Sequence, residues 1–174
     1  LAVGRELDQL MRQGAFVFHD VPADNFNIDR VVISSSGIFA VETKGYTKPK
    51  QGGGKADATV GFDGVSLRFP TWVSKAPLEQ AERQAAWMAK WLGSAVGSPI
   101  HVLPALGLPG WFVERSGRGT VRVFNGKEYF QYTEACFSTR KFSKSRGTLN
   151  SGKISFAFFQ DSLSSSSKRF GGRR

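Results

Sequence analysis

Two β-prone runs, Ile28 to Ile33 and Ile38 to Lys44, flank Ser34-Ser35-Ser36-Gly37. The intervening segment has a loop composition that favours a hairpin. Pairing Ile33 with Ile38 sets the register, and a tighter turn pairing Ser34 with Gly37 gives the same one. In that register Asp29 faces Glu42, and directly opposed residues of an antiparallel pair share a face with Cβ atoms about 4.5–5.5 Å apart. Lys44 lies two residues beyond Glu42 and therefore joins them. Two carboxylates and a lysine are thus expected on one side of an otherwise apolar hairpin of Val31, Val32, Ile33, Ile38, Phe39 and Val41.

The rest of the chain fits one domain. At 174 residues, folding is expected to bury about 70 % of the unfolded chain's surface. The single cysteine, Cys136, excludes a disulfide framework and a Cys-based metal cage. Residues 3–13 read as a short helix ending at Gly14, and Ala15 to Val21 as a strand closed by a turn at Pro22-Ala23-Asp24-Asn25. Residues 47–75 read as loop and short hairpin, with a strand near Val65 to Phe69. Pro77 opens a helix carrying Leu78, Ala81, Ala85, Met88 and Leu92 on one stripe, with Gly93 as its stop. Strands are expected at Ile100 to Leu106, Gly110 to Glu114, Val121 to Phe124 and Ile154 to Phe159, and a helix at Thr133 to Phe142. This order indicates an α/β or α+β domain with a mixed sheet over 1–163. Residues 164–174, four serines followed by a basic end, are expected to form a disordered tail.

Charge is unevenly spread. The net charge of +10 divides into −2 over residues 1–44, +3 over 45–76, +1 over 77–135 and +8 over 136–174. A basic body around an acidic pocket suits a polyanionic substrate held by Lys and Arg while carboxylates hold metal. No window is long and apolar enough for a membrane span, and Leu1 to Asp8 lacks a signal-peptide layout, so no membrane partner and a cytoplasmic location are expected. The first residue is Leu rather than Met, as expected of a domain cut from a longer protein with further domains beside it.

Opposed carboxylates repel, and a cation between them removes the penalty. Mg²⁺ takes one or two carboxylates and keeps several waters, an arrangement that Asp29 and Glu42 can supply, with the Thr43 carbonyl as a further oxygen. Lys44 would then lie beside the metal-bound water and offset charge developing on a phosphate. The structural alternative makes Asp29 a strand-entrance cap and Glu42–Lys44 a solvated pair.

These residues carry a resemblance. Asn27-Ile28-Asp29-Arg30-Val31-Val32-Ile33 followed by Gly37-Ile38-Phe39-Ala40-Val41-Glu42-Thr43-Lys44-Gly45 resembles the nuclease-related domain family, a branch of the PD-(D/E)xK nucleases. Gly4-Arg5-Glu6-Leu7 resembles that family's Gly-x-Glu opening, and Ala76-Pro77-Leu78-Glu79-Gln80 its Asn-Pro-x-x-Gln helix start, with Ala76 in place of Asn. The resemblance implies a restriction-endonuclease-like fold, a central mixed sheet flanked by helices in the order α-β-β-β-α-β. It also implies a Mg²⁺- or Mn²⁺-dependent nuclease whose site joins Glu6, Asp29 and Glu42, with Lys44 as catalytic lysine. Gln80 becomes the supporting polar residue, preferred over Gln84 on the same helical face because of its spacing from Pro77.

Among other motifs, Gly52-Gly53-Gly54-Lys55 lacks the Ser/Thr and strand-to-helix setting of a phosphate loop and reads as a flexible basic loop in which Lys55 touches a nucleic-acid backbone. Arg140, Lys141, Lys144 and Arg146 form the best basic cluster before the tail, either a phosphate-contacting group or a solvated face. Trp87 and Trp91, one helical turn apart, read as core or interface before base-stacking platform. His19 and His101 have no companion Ser or Cys motif for a hydrolase triad. The expected function is metal-dependent hydrolysis of DNA, with RNA as the other possible substrate. The rival readings are a catalytically idle nucleic-acid-binding module of the same fold and a protein-docking domain using Trp87 and Trp91.

Overall fold

A computed structural model describes Met11 and residues 14–34, 37–49 and 58–125. Nine strands, β1 (Phe16–Pro22), β2 (Asn27–Ser34), β3 (Gly37–Thr43), β4 (Thr59–Phe62), β5 (Leu67–Arg68), β6 (Val73–Ser74), β7 (Val102–Gly107), β8 (Phe112–Arg115) and β9 (Arg122–Phe124), accompany one helix, α1 (Ala76–Val96), among the described residues. They form a mixed five-stranded sheet, β1-β2-β3-β7-β9, and a four-stranded sheet, β6-β5-β4-β8.

The hairpin that dominates the sequence dominates the fold. Antiparallel β2 and β3 pair Ile33 with Ile38, Ser34 with Gly37 and Arg30 with Val41, the expected register. β3 then pairs in parallel with β7, and β7 with β9. A parallel partner requires a long crossover, supplied here by β4 to β6 and α1. β3 is buried on both faces, which accounts for its unbroken Ile-Phe-Ala-Val run. On the helix side Val31, Ile38 and Ala40 pack with Ala85, Met88 and Leu92. On the other side Val32, Phe39 and Val41 pack with Ala105 and Phe124.

The α1 stripe is the expected one: Leu78, Ala81, Ala85, Met88 and Leu92 are buried. Its end differs. The helix passes Gly93 and stops at Gly97, which adopts φ +69. A mid-helix glycine costs only about 1 kcal/mol. The backbone of Ser98 to Ile100 folds back over Gly93, its Ser98 carbonyl oxygen at van der Waals distance from where a Cβ would stand. The apolar stretch from Ile100 to Glu114 also divides: β7 joins the large sheet and β8 the small one, parallel to β4.

The small sheet combines β4 to β6, which lie between β3 and α1 where a loop and short hairpin are expected, with β8 from beyond β7. β4 and β5 form the short hairpin, and the strand expected near Val65 to Phe69 shrinks to Leu67–Arg68, with Val65 in the turn and 66 % exposed. The cause is Asp63, whose carboxylate accepts the Val65 and Ser66 N–H groups at 3.0 and 2.7 Å and the Ser66 hydroxyl at 2.8 Å, closing a side-chain-mediated turn. Those donors, the Val65 N–H foremost, pull the Asp63 pKa down to about 2.

Mixed α+β architecture is therefore the fold class, and it is compatible with a restriction-endonuclease-like fold. The expected helices at 3–13 and 133–142, the strand at 154–159 and the tail at 164–174 lie outside the described residues, apart from helical Met11. No helix among the described residues is long and apolar enough to cross a membrane.

Candidate active site

At the C-terminal end of β3 the chain leaves the sheet, and the polar residues converge. One step beyond the Arg30–Val41 pair, the register sets Asp29 opposite Glu42. The Asp29 carboxylate accepts the Thr43 N–H at 2.8 Å, which fixes its position across the hairpin. Lys44 lies past the formal end of β3, yet its N–H donates to the Gly107 carbonyl at 3.0 Å. The β3–β7 ladder thus holds the lysine backbone as firmly as a strand residue.

Glu42 is 3 % exposed. A buried carboxylate persists only when paired and hydrogen-bonded, and both of its oxygens are engaged. Lys44 Nζ lies 2.6 Å from Oε1. Gln84 Nε2 donates to Oε2 at 2.5 Å and also reaches the Asn27 carbonyl at 3.5 Å. Two acceptors on one side of the amide fix which of its ends is nitrogen. The Gln84 oxygen, buried, has no hydrogen-bond partner. Lys44 differs in being reachable, with its side chain 32 % exposed.

Burial dominates the electrostatics of the site. Asp29 is held above the usual aspartate range, chiefly by burial and further by the neighbouring Glu42 charge, against the opposing Thr43 N–H, Arg30 and Lys44. The shift thus marks a desolvated carboxyl, with Arg30 and Lys44 both opposing the repulsion from Glu42. Tyr46 is raised as well, mainly by burial, with Lys44 lowering and Glu42 raising it, which brings its phenol within the field of the site. Arg30 faces away along its strand and donates to the Thr43 hydroxyl at 2.8 Å.

Asp29 and Glu42 offer hard oxygen donors at one strand end, the ligand type a small divalent cation takes. Carboxylate oxygens of this kind are chemically suited to Mg²⁺ or Mn²⁺, and the Thr43 carbonyl lies on the same segment. Among the described residues there is no group of three or more His, Cys, Asp and Glu side chains arranged for a metal. Glu6, the expected third acid, lies outside them, as do Lys55, Arg140, Lys141, Lys144 and Arg146.

Asp29, Glu42 and Lys44 are thus brought together. Gln80 sits one turn before Gln84 on α1, partly exposed, and the amide that reaches Glu42 is that of Gln84. The signal was available: Gln84 follows Ala81 by three and precedes Met88 by four, a polar residue inside an apolar stripe. Trp87 and Trp91 stack at a 6.2 Å centroid separation and pack against the helix-side core, and Trp87 Nε1 donates to Asp24 at 3.0 Å.

Residues 1–109 match the family model described as nuclease-related domain. No curated protein and no solved structure matches the chain.

Proposed function

On the premise that the chain belongs to the nuclease-related domain family, we propose that it hydrolyses phosphodiester bonds of DNA with the help of a divalent cation. The observation carrying this reading is the Asp29–Glu42–Lys44 group, two opposed carboxylates and a reachable ammonium at one strand end. A bound Mg²⁺ or Mn²⁺ supplies Lewis acidity and a more acidic water.

The residues of the chain divide the remaining work. Asp29, anchored by the Thr43 N–H, and Glu42 hold the cation. Gln84 positions Glu42 by fixing Oε2, so that Oε1 is presented toward Lys44. Lys44 Nζ orients the attacking water and offsets charge building on the phosphate oxygens, an interaction stronger in a partly dry site than in bulk water. The ladder bond from the Lys44 N–H to Gly107 keeps that charge in place, because holding a group in register avoids reorganisation during reaction.

The test is cleavage of single-stranded, double-stranded and supercoiled DNA, and of RNA, with Mg²⁺, Mn²⁺ or EDTA. Metal-dependent cutting, lost in Glu42→Ala and in Lys44→Ala while both remain folded, is the expected result. Unchanged cutting in either variant refutes the assignment. One observation favours the second reading, an idle binding module: both Glu42 oxygens already have partners. That reading expects salt-sensitive binding without cutting under every metal.

A further inference from the structure

The loop joining β8 to β9, Ser116-Gly117-Arg118-Gly119, crosses the β4–β5 turn at backbone contact. The Ser116 N–H donates to the Phe62 carbonyl at 2.9 Å. A Cβ on Gly117 would stand 1.9 Å from the Asp63 carbonyl oxygen, and one on Gly119 would stand 2.3 Å from that of Gly64. Gly64, at φ +100, meets the loop from the other side, its Cβ position 2.6 Å from the Arg118 carbonyl oxygen. These approaches admit glycine alone, so the two turns interlock and Arg118 extends from a rigid frame.

Beside that frame lies a cavity of about 500 Å³ lined by Phe62, Arg115, Ser116, Arg118 and Arg122. Arg118 and Arg122 are exposed. Arg115 is tethered, donating to the Val123 carbonyl at 2.9 and 3.3 Å and to the Val113 carbonyl at 3.3 Å. Among the described residues the lining contains three arginines and no acid. Two carboxylates border the frame without lining the cavity: Asp63, bound within its own turn and paired with Arg68, and Glu82 on α1, which accepts from the Thr120 hydroxyl of the β8–β9 loop.

We propose that this cavity binds phosphate groups of a nucleic-acid strand, at a site separate from the carboxylates. The planar guanidinium fork matches phosphate oxygens in pairs. A lone phosphate ion would leave most of so large a cavity to water, whereas a sugar-phosphate segment occupies it. Arg122 pairs with Ala105, and the next residue, Leu106, pairs with Glu42. The cavity backbone is thus two strand spacings, about 10 Å, from that of the site, and the alternation of side chains puts Arg122 on the opposite face of the sheet from Glu42. The identity of the strand as ligand rests on the nuclease reading; the phosphate chemistry does not.

The experiment is fluorescence anisotropy of a labelled single-stranded oligonucleotide with the wild-type chain and the Arg118→Ala/Arg122→Ala variant, in EDTA so that binding is read without hydrolysis. Each lost single-strand phosphate contact lowers the salt slope by about 0.7, so losing two should reduce the affinity change between roughly 50 and 200 mM salt by about 7-fold. Arg118→Lys/Arg122→Lys, which keeps both charges, should retain the wild-type slope. Equal slopes in the wild-type and alanine proteins overturn the proposal. So does an outcome in which inorganic pyrophosphate, followed by calorimetry, binds in an arginine-dependent way while the oligonucleotide slope is unaffected, because the cavity then serves free phosphate. Cleavage with metal is scored separately. Its absence alongside an arginine-dependent slope removes the nuclease reading and leaves the cavity assignment standing.

Discussion

Replacing Gln84 by Leu tests the arrangement around Glu42 directly. The side chain is 2 % exposed and its amide donates to a carboxylate that is itself buried. Leucine keeps most of the volume and removes the donor, so the expected loss is that of a hydrogen bond to a charged group, about 1.5–3 kcal/mol. The orphaned Gln84 oxygen disappears in the same substitution, which draws the expectation toward the lower end of that range. For a chain of this size, that corresponds to a fall in Tm of about 3–12 °C. Urea unfolding of Gln84→Leu, Glu42→Leu and the double variant forms a cycle. Removing both partners of a buried pair is far less harmful than removing one, so the two single losses should exceed that of the double variant by at least about 1 kcal/mol. Gln80→Leu, one turn away and partly exposed, should stay within about 0.5 kcal/mol of wild type. Coupling below about 0.5 kcal/mol, or an equal effect at Gln80, refutes the claim that Gln84 positions Glu42.

Three further predictions follow from the same geometry. Asp29 has a folded-state pKa above its ordinary value, so its stability contribution is full below the unfolded pKa near 3.8 and is lost as pH rises through the folded value. Asp29→Asn should therefore raise Tm at neutral pH in EDTA and abolish the Mg²⁺-induced stabilisation of the wild type, about 2.7 kcal/mol at a hundredfold excess over Kd and read as a rise in Tm; a retained Mg²⁺ response places the cation elsewhere. Asp63 runs the opposite way: with a pKa lowered to about 2, it contributes above about pH 4, and that contribution fades as pH falls toward 2. Acid unfolding of Asp63→Ala should accordingly show a shallower pH dependence in that window, and an unchanged profile contradicts the turn assignment. Gly117→Ala forces a Cβ against the Asp63 carbonyl and should destabilise by about 1–3 kcal/mol or more, as read by thermal unfolding; a neutral effect would show that the two turns are not interlocked.

The hairpin was legible because side-chain alternation and turn composition act over neighbouring residues. Val31 to Ile33 and Ile38 to Val41 could bury their apolar groups in one register only, and that register carries Asp29 to Glu42 whatever the rest of the chain does. The α1 stripe was legible for the same reason. Its end was not, because Gly93 looks like a stop until the backbone of residues 98–100 is seen packed against it. β4 was legible only as part of an unplaced short hairpin within residues 47–75, because a four-residue strand carries little periodicity and its pairing with β8 spans some fifty residues of sequence.

The candidate site divides along the same line. By itself the sequence determined that two carboxylates and a lysine share one face of a hairpin, because a two-residue period and one register suffice for that. It also determined the helix with its apolar stripe. Only the tertiary structure decided that Gln84 rather than Gln80 meets Glu42, since the rotation of α1 over the sheet depends on how Ala85, Met88 and Leu92 pack on Val31 and Ala40. It alone held Lys44 in place through Gly107 and drew Arg115, Arg118 and Arg122 around one cavity. Contacts between distant segments are set by the packing of whole layers, so a local pattern such as the polar Gln84 inside the apolar stripe marks a candidate without naming its partner.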